Sequence, residues 1–145
     1  MRVSECMTRD VRMANPDETA AQAATKMAEL DAGILPVSEN DRLVGMITDR
    51  DIAIRGVAMN RGPDAKVRDL MSSEVLYCFD DEDVDDVLRN MSEQQIRRLP
   101  VLDRNKRLVG IVSLADLACS GHNAEAGEAL SGIAQPGGEH SQTIH

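Results

Sequence analysis

Two short constellations in this chain pair a hydroxyl with a carboxylate at the same spacing. They are Thr48-x-x-Asp51 in "LVGMITDRDIA" and Ser113-x-x-Asp116 in "LVGIVSLADLA". Each follows an apolar run and opens an amphipathic stretch, so each reads as a strand running into a helix. Two chemistries suit such a junction. Ser or Thr followed three residues later by an acid is the pattern of a capping box, in which the side chains satisfy backbone N–H groups left without partners at a helix start. Alternatively, the free N–H groups and positive end of a helix suit an anion such as phosphate. An Asp held there can accept two hydrogen bonds from a ribose diol while the hydroxyl reaches a phosphate or sugar oxygen. Capping boxes favour the longer Glu or Gln, whereas both copies use Asp. Gly45 and Gly110 also leave space in each strand for another group to approach.

The elements that position these junctions are themselves duplicated. A shift of 64 residues carries Cys6–Val11 onto Leu70–Val75, Asp17 onto Asp81, Met27 onto Met91, and Leu35-Pro36-Val37 onto Leu99-Pro100-Val101. One extra residue in the second charged turn moves the offset to 65 before Leu-Val-Gly recurs. This register identifies a tandem duplication. Each copy predicts a short strand (about Val11 to Met13, and Val75 to Cys78), followed by a helix. Helical spacing is kept by Ala20, Ala23, Ala24, Met27 and Leu30, and again by Val84, Val87, Leu88, Met91 and Ile96. A strand at Ile34–Val37 or Leu99–Leu102, a turn, the strand ending at Thr48 or Ser113, and a second short helix complete a β-α-β-β-α order.

A unit of about 50 residues is near the lower limit for a self-sufficient core. The copies, residues 1–62 and 63–121, are therefore expected to pack together, sheet against sheet, as an α/β module with pseudo-twofold symmetry. Gly62-Pro63-Asp64 supplies the turn between them. Residues 122–145 carry no Lys or Arg and several Gly, and are expected to be a largely flexible tail, with a short helix near Ala124–Leu130 left open.

Composition narrows the function. A net charge of -9 argues against a nucleic-acid binder, which needs a basic face. The only aromatic residues are Tyr77 and Phe79, which offer no platform for stacking single strands. No apolar leader or membrane-length stretch is evident. The three widely spaced cysteines, Cys6, Cys78 and Cys119, do not form a secreted disulfide framework, so a cytoplasmic location is expected.

The pattern Gly-h-h-Thr/Ser-x-x-Asp after an h-Pro-Val strand, written twice about 65 residues apart, resembles a pair of CBS (cystathionine beta-synthase-type) domains, also called a Bateman module. The resemblance spans roughly residues 3 to 120. "GMITDRDIAIRG" and "QQIRRLPVLDRNKRLVGIVSLADLA" are similar to stand-alone bacterial pairs of the hypoxic-response type. It implies a regulatory sensor of an adenosine-containing ligand (AMP, ADP, ATP, NAD(H) or S-adenosylmethionine) bound between the repeats, with no cofactor required. Asp51 and Asp116 would hold ribose hydroxyls, with Thr48 and Ser113 beside the ribose-phosphate. Thr8, Asp10 and Val11, and Ser72 and Val75, fall in the two segments that would line the base pocket through their backbone. Ile34, Leu35 and Pro36, and Arg98, Leu99 and Pro100, would form its apolar wall. Arg50 in the first motif, and Arg97 and Arg98 in the second copy, are candidate phosphate contacts. The resemblance also implies a homodimer acting in trans on an unknown protein partner.

Other features carry less. The acidic run Asp80–Asp86 lacks the Gly and terminal Glu of an EF-hand loop and suits a helix start. Cys119 and His122 are half of a zinc site with no second pair fixed by the sequence, so no metal is expected. Nothing forms a nucleophile, base and oxyanion set, so an enzyme is not expected. The competing reading is a structural dimer that binds no ligand and whose Thr/Ser-x-x-Asp motifs are helix caps alone.

Overall fold

Each of the two long helices starts on a residue whose side chain caps it. In the computed structural model, which describes residues 1–119, 127 and 130–133, the Thr19 Oγ1 accepts a hydrogen bond from the Gln22 N–H and the Gln22 Oε1 accepts one from the Thr19 N–H. That closed capping box begins α1 (Ala20–Leu30). Asp83, whose side chain accepts from the Asp85 N–H, begins the equivalent later helix (Val84–Gln94). Both helices end on a residue in the left-handed region, Asp31 at φ 51° and Gln95 at φ 56°, a helix stop that usually takes Gly.

From α1 the chain enters an antiparallel hairpin of β1 (Ile34–Glu39) and β2 (Arg42–Thr48), with a register irregularity at Val37/Ser38. A helical turn α2 (Asp49–Asp51), a π-helical turn (Ile52–Gly56) and a 3-10 turn (Val57–Met59) follow, ending at Asn60 in the left-handed region. The next repeat opens with the short helix α3 (Val67–Leu70) and β3 (Cys78–Phe79). It continues with α4 (Val84–Gln94), β4 (Arg98–Leu102), β5 (Leu108–Ser113) and α5 (Leu114–Cys119). The second sheet has the order β3-β4-β5, with β3 parallel to β4.

The strands expected at Val11–Met13 and Val75–Cys78 are shorter and displaced toward the helices. In the first copy the pairing shrinks to one parallel bridge, Ala14 with Val37, and in the second it is Cys78–Phe79 against Val101 and Leu102. Thr8 and Ser72, earlier in the two leading segments, carry a different interaction, described below.

Two compact units emerge, and they are not the two sequence repeats. One consists of Arg12–Val75 with Lys106–Leu108. The other consists of Met1–Val11, Leu76–Asn105 and the described residues from Val109. Each repeat therefore contributes its leading segment to the unit built mainly from the other. The cores show why. Val67 and Leu70, fully buried, pack with Ala23, Met27, Leu35, Val37 and Ile47. Val3 and Met7 pack with Val84, Leu88, Met91, Leu99, Val101, Val112 and Leu117. Val3 and Val67 stand at equivalent repeat positions, so the exchange is reciprocal.

Residues expected in a flexible tail are helical at the five described positions, and one of them, Gly127, falls in the stretch where a short helix is left open. Leu130, Ser131, Gly132 and Ile133 are helical, Ile133 is buried in the core with Val3 and Met91, and the Gln95 amide donates to the Gly132 carbonyl at 3.0 Å. Leu130 and Ile133 are spaced to share one helix face. The absent side chain of Gly132 lets that turn lie against Ser92. The other expectations for residues 120–145, and the Cys119–His122 half-site that was set aside, lie outside the described residues and side chains.

Candidate functional site

Each candidate residue falls into one of two sets, and each set lies within a single compact unit. Ile34, Leu35, Pro36, Thr48, Arg50, Asp51, Ser72 and Val75 belong to the first unit, and Thr8, Asp10, Val11, Arg97, Arg98, Leu99, Pro100, Ser113 and Asp116 to the other. Both sets therefore draw on both repeats.

The first set is organised around the end of β2. Thr48 pairs with Ile34, and Met46 pairs with Pro36 on one side and bridges to Ser72 on the other. The Met46–Ser72 bridge is a double one, each N–H donating to the other's carbonyl at 2.9 Å. In the other unit, Thr8 and Ile111 exchange the same pair of bonds at 2.8 and 3.0 Å. Each leading segment thus bridges to the edge of a hairpin strand at one residue, Thr8 or Ser72.

The strand glycines serve this arrangement. A Cβ on Gly45 would stand 2.7 Å from both the Met71 Sδ and the Ser72 carbonyl oxygen, and one on Gly110 would stand 2.6 Å from the Met7 Sδ and 2.9 Å from the Thr8 carbonyl oxygen. The group that approaches each glycine is therefore the chain's own leading segment. Met7 and Met71 were not among the candidate residues, although their equivalent places in the repeat were the available signal.

Both hydroxyl–carboxylate junctions form closed capping boxes. The Thr48 N–H donates to the Asp51 Oδ2 at 3.0 Å and the Asp51 N–H to the Thr48 Oγ1 at 3.0 Å. The Ser113 N–H donates to the Asp116 Oδ2 at 3.0 Å and the Asp116 N–H to the Ser113 Oγ at 3.1 Å. Asp reaches the cap despite its short side chain. The N–H groups of Asp51 and Asp116 are consequently occupied, and α2 is only three residues long, which weakens the case for a phosphate held by a helix end. Each carboxylate keeps its second oxygen, Oδ1, outside the box. The Oδ1 of Asp51 faces the Arg55 Nε at 4.0 Å, and that of Asp116 accepts no hydrogen bond among the described residues. A half-buried carboxylate oxygen with open lone pairs can accept from a hydroxyl.

The junctions are anchored alike. The Asp49 N–H donates to the Gly33 carbonyl and the Leu114 N–H to the Arg97 carbonyl, both at 2.9 Å. The second bond brings the Arg97-Arg98 pair to the start of α5. The side chains of Arg50, Arg97 and Arg98 are exposed and make no hydrogen bond or ion pair among the described residues. The expected apolar wall needs correction at two positions: Leu35 and Leu99, 1% and 3% exposed, point into the two cores. Strand alternation, which turns every second side chain to the core, accounts for this. Pro36 and Pro100 are also buried, whereas Ile34 is half-buried and Thr8 and Asp10 are exposed. Tyr77 stands edge-on to Phe79, with ring centroids 5.6 Å apart, and the Arg104 guanidinium lies over the Phe79 ring at 4.1 Å.

A family model described as "CBS domain" matches residues 3–56 and again 67–120. The chain belongs to the CBS-domain family. The CBS domain-containing protein YhcV of Bacillus subtilis is 41% identical over 144 residues, covering 99% of this chain and 98% of that protein. Among solved structures, Hypoxic Response Protein I, crystallised with two coordinated zinc ions, superposes with a TM-score of 0.75 at 38% identity, covering 82% of this chain and 98% of that one. The CBS domain pair of protein MJ0100, in complex with 5'-methylthioadenosine and S-adenosyl-L-methionine, superposes with a TM-score of 0.73 at 28% identity, covering 86% of this chain and 98% of that one.

The paired-CBS fold inferred from the repeated motif is thus the fold of the chain. Among the described residues no group of three or more His, Cys, Asp or Glu is placed to hold a metal ion, and no helix is long and apolar enough to cross a membrane.

Proposed function

We propose that this CBS pair is a regulatory sensor of an adenosine-containing small molecule, held at Thr48/Asp51 in one unit and at Ser113/Asp116 in the other. The carrying observation is that each capping box uses one oxygen of its Asp and leaves Oδ1 facing outward from the box. That is the acceptor a ribose diol requires. The similarity to a CBS pair solved with two adenosine compounds supports the ligand class. Arg97 and Arg98, exposed beside α5, supply positive charge for a phosphorylated ligand at the second site, and Arg50 does so at the first. The module acts as a homodimer, in the cytoplasm and in trans on a partner protein. Ligand shifts the population toward whichever arrangement binds it better.

The closed boxes favour a second reading, in which the motifs are caps and the dimer is purely structural. Thermal-shift measurements with AMP, ATP, NADH and S-adenosyl-L-methionine separate the two. A ligand at 100 times its Kd that binds only the folded chain stabilises it by about 2.7 kcal/mol. Asp51→Ala and Asp116→Ala should each cost about 1 kcal/mol as lost caps, and should also weaken binding of the active compound. Variants that lose stability yet bind that compound as the native chain does would establish the structural reading.

A further inference from the structure

The guanidinium of Arg55 spans the two walls of the first candidate site. It follows Asp51 by four residues, which places both on one helical face. Its Nε stands 4.0 Å from the Asp51 Oδ1. Its Nη1 donates to the Met71 carbonyl at 3.0 Å and, at longer range, to the Leu70 carbonyl at 3.4 Å. One wall of the site is the Thr48/Asp51 box. The other begins at Ser72, the residue after Met71, which is bonded to Met46.

The repeat supplies a contrast. At the 65-residue offset that carries Asp51 onto Asp116, Arg55 falls on Ser120, which has no guanidinium. The Oδ1 of Asp51 is also too far from Nε for a hydrogen bond. The arginine therefore draws the carboxylate electrostatically while leaving its lone pairs to accept from a ligand. Only Arg presents donors on separate edges of one planar fork, so a lysine would make one of these contacts at a time.

We propose that Arg55 is a positioning residue for the first site alone, a strut that sets the separation between Asp51 and the Met71–Ser72 segment and so makes the two ligand sites of this chain unequal. The inference rests on the sensing function proposed above, which names the ligand class, whereas the strut itself requires no ligand.

The test uses the full chain, as the native protein, Arg55→Ala and Arg55→Lys. Without ligand, amide hydrogen exchange at Ser72 and Met46 should quicken about tenfold in Arg55→Ala, with Thr8 and Ile111 in the other unit unchanged, since a charge-assisted hydrogen bond is removed on one side only. Titration with AMP and with S-adenosyl-L-methionine is then followed by NMR at the Thr48 and Ser113 amides separately. In Arg55→Ala, affinity reported at Thr48 should fall about tenfold while that at Ser113 is unchanged, and Arg55→Lys should restore only part of the loss. Unchanged exchange at Ser72, full rescue by lysine, or equal weakening at both reporters would overturn the proposal. If the native chain binds neither compound, the sensing function fails and the affinity claim falls with it. The exchange data then decide the strut alone.

Discussion

Substituting Gly45 by Ala tests the packing beside the first proposed site. The added Cβ would meet the Ser72 carbonyl oxygen and the Met71 Sδ at 2.7 Å, where ordinary contact begins near 3.4 Å. The methionine can turn away, but the carbonyl belongs to the backbone, so the segment must move by roughly 0.7 Å. That movement acts directly on the two Met46–Ser72 hydrogen bonds, now 2.9 Å each, and takes both beyond good geometry. Each bond contributes about 1 kcal/mol net, and overpacking adds about 1–3 kcal/mol. Rehydration of the freed groups offsets part of this, for an expected loss of about 2–4 kcal/mol. Urea denaturation measures it, with amide exchange at Ser72 and Met46 locating it. Gly62→Ala is the control: nothing lies within 4 Å of its Cβ, so stability should stay within about 0.5 kcal/mol of native. A Gly45→Ala protein of native stability with protected Ser72 would refute the reasoning.

Three further outcomes follow from the structure. Burial first, then Glu82 and Asp80, push the Cys78 thiol from 9.0 up to about 12. The neutral form is therefore favoured in the folded chain, and the stability this confers is complete below about pH 9 and lost as pH rises toward 12. Urea midpoints across that range should fall more steeply for the native chain than for Cys78→Ala, and parallel curves would contradict the assignment. Arg104 hydrogen-bonds the exposed Asp81 carboxylate and holds it below the usual range, so Arg104→Ala should raise the Asp81 titration midpoint seen by carbon NMR. Ile133→Ala should cost about 2–4 kcal/mol in urea denaturation because it empties part of a core. Leu130→Ala, half-exposed, should cost far less.

Much of this architecture was legible in the residues because the repeat states it twice. The body of α1 follows from the alanine spacing, and both hairpin strands end at the expected Thr48 and Ser113. What escaped was the partner of each leading segment. Val3 and Met7 are as apolar as any core residue, and nothing local says which of two near-identical hairpins they join. That choice depends on chain connectivity and long-range packing, which a periodic pattern does not encode. The same gap concealed the role of the glycines: Gly45 and Gly110 signalled a close approach, but the approaching group comes from the other repeat. The buried Leu35 and Leu99 were misplaced because a strand with several apolar residues in a row hides its alternation. The order at Leu130–Ile133 was obscured by the surrounding Gly and polar residues.

The cap and ligand roles of Asp51 and Asp116 compete only if one carboxylate has too few lone pairs for both. Two oxygens offer about four acceptor sites, and each capping box uses one oxygen for a single N–H. A cap also fixes the side-chain torsions that a ribose contact would otherwise have to freeze on binding, so the closed box lowers the ordering cost of a ligand rather than excluding it. A glutamate, with one more torsion to restrain, would make a comparable cap with a less fixed second oxygen. The repeated choice of Asp is then understandable as a compromise between reach and rigidity, and the reciprocal exchange of leading segments adds a reason for the duplication itself. A single repeat would leave its own hairpin edge without the segment that bonds Met46 or Ile111, and its glycine facing a groove with no backbone to fill it. Two copies in one chain complete each other, and each unit then holds a rigid acceptor oxygen beside a backbone segment that the other repeat supplies.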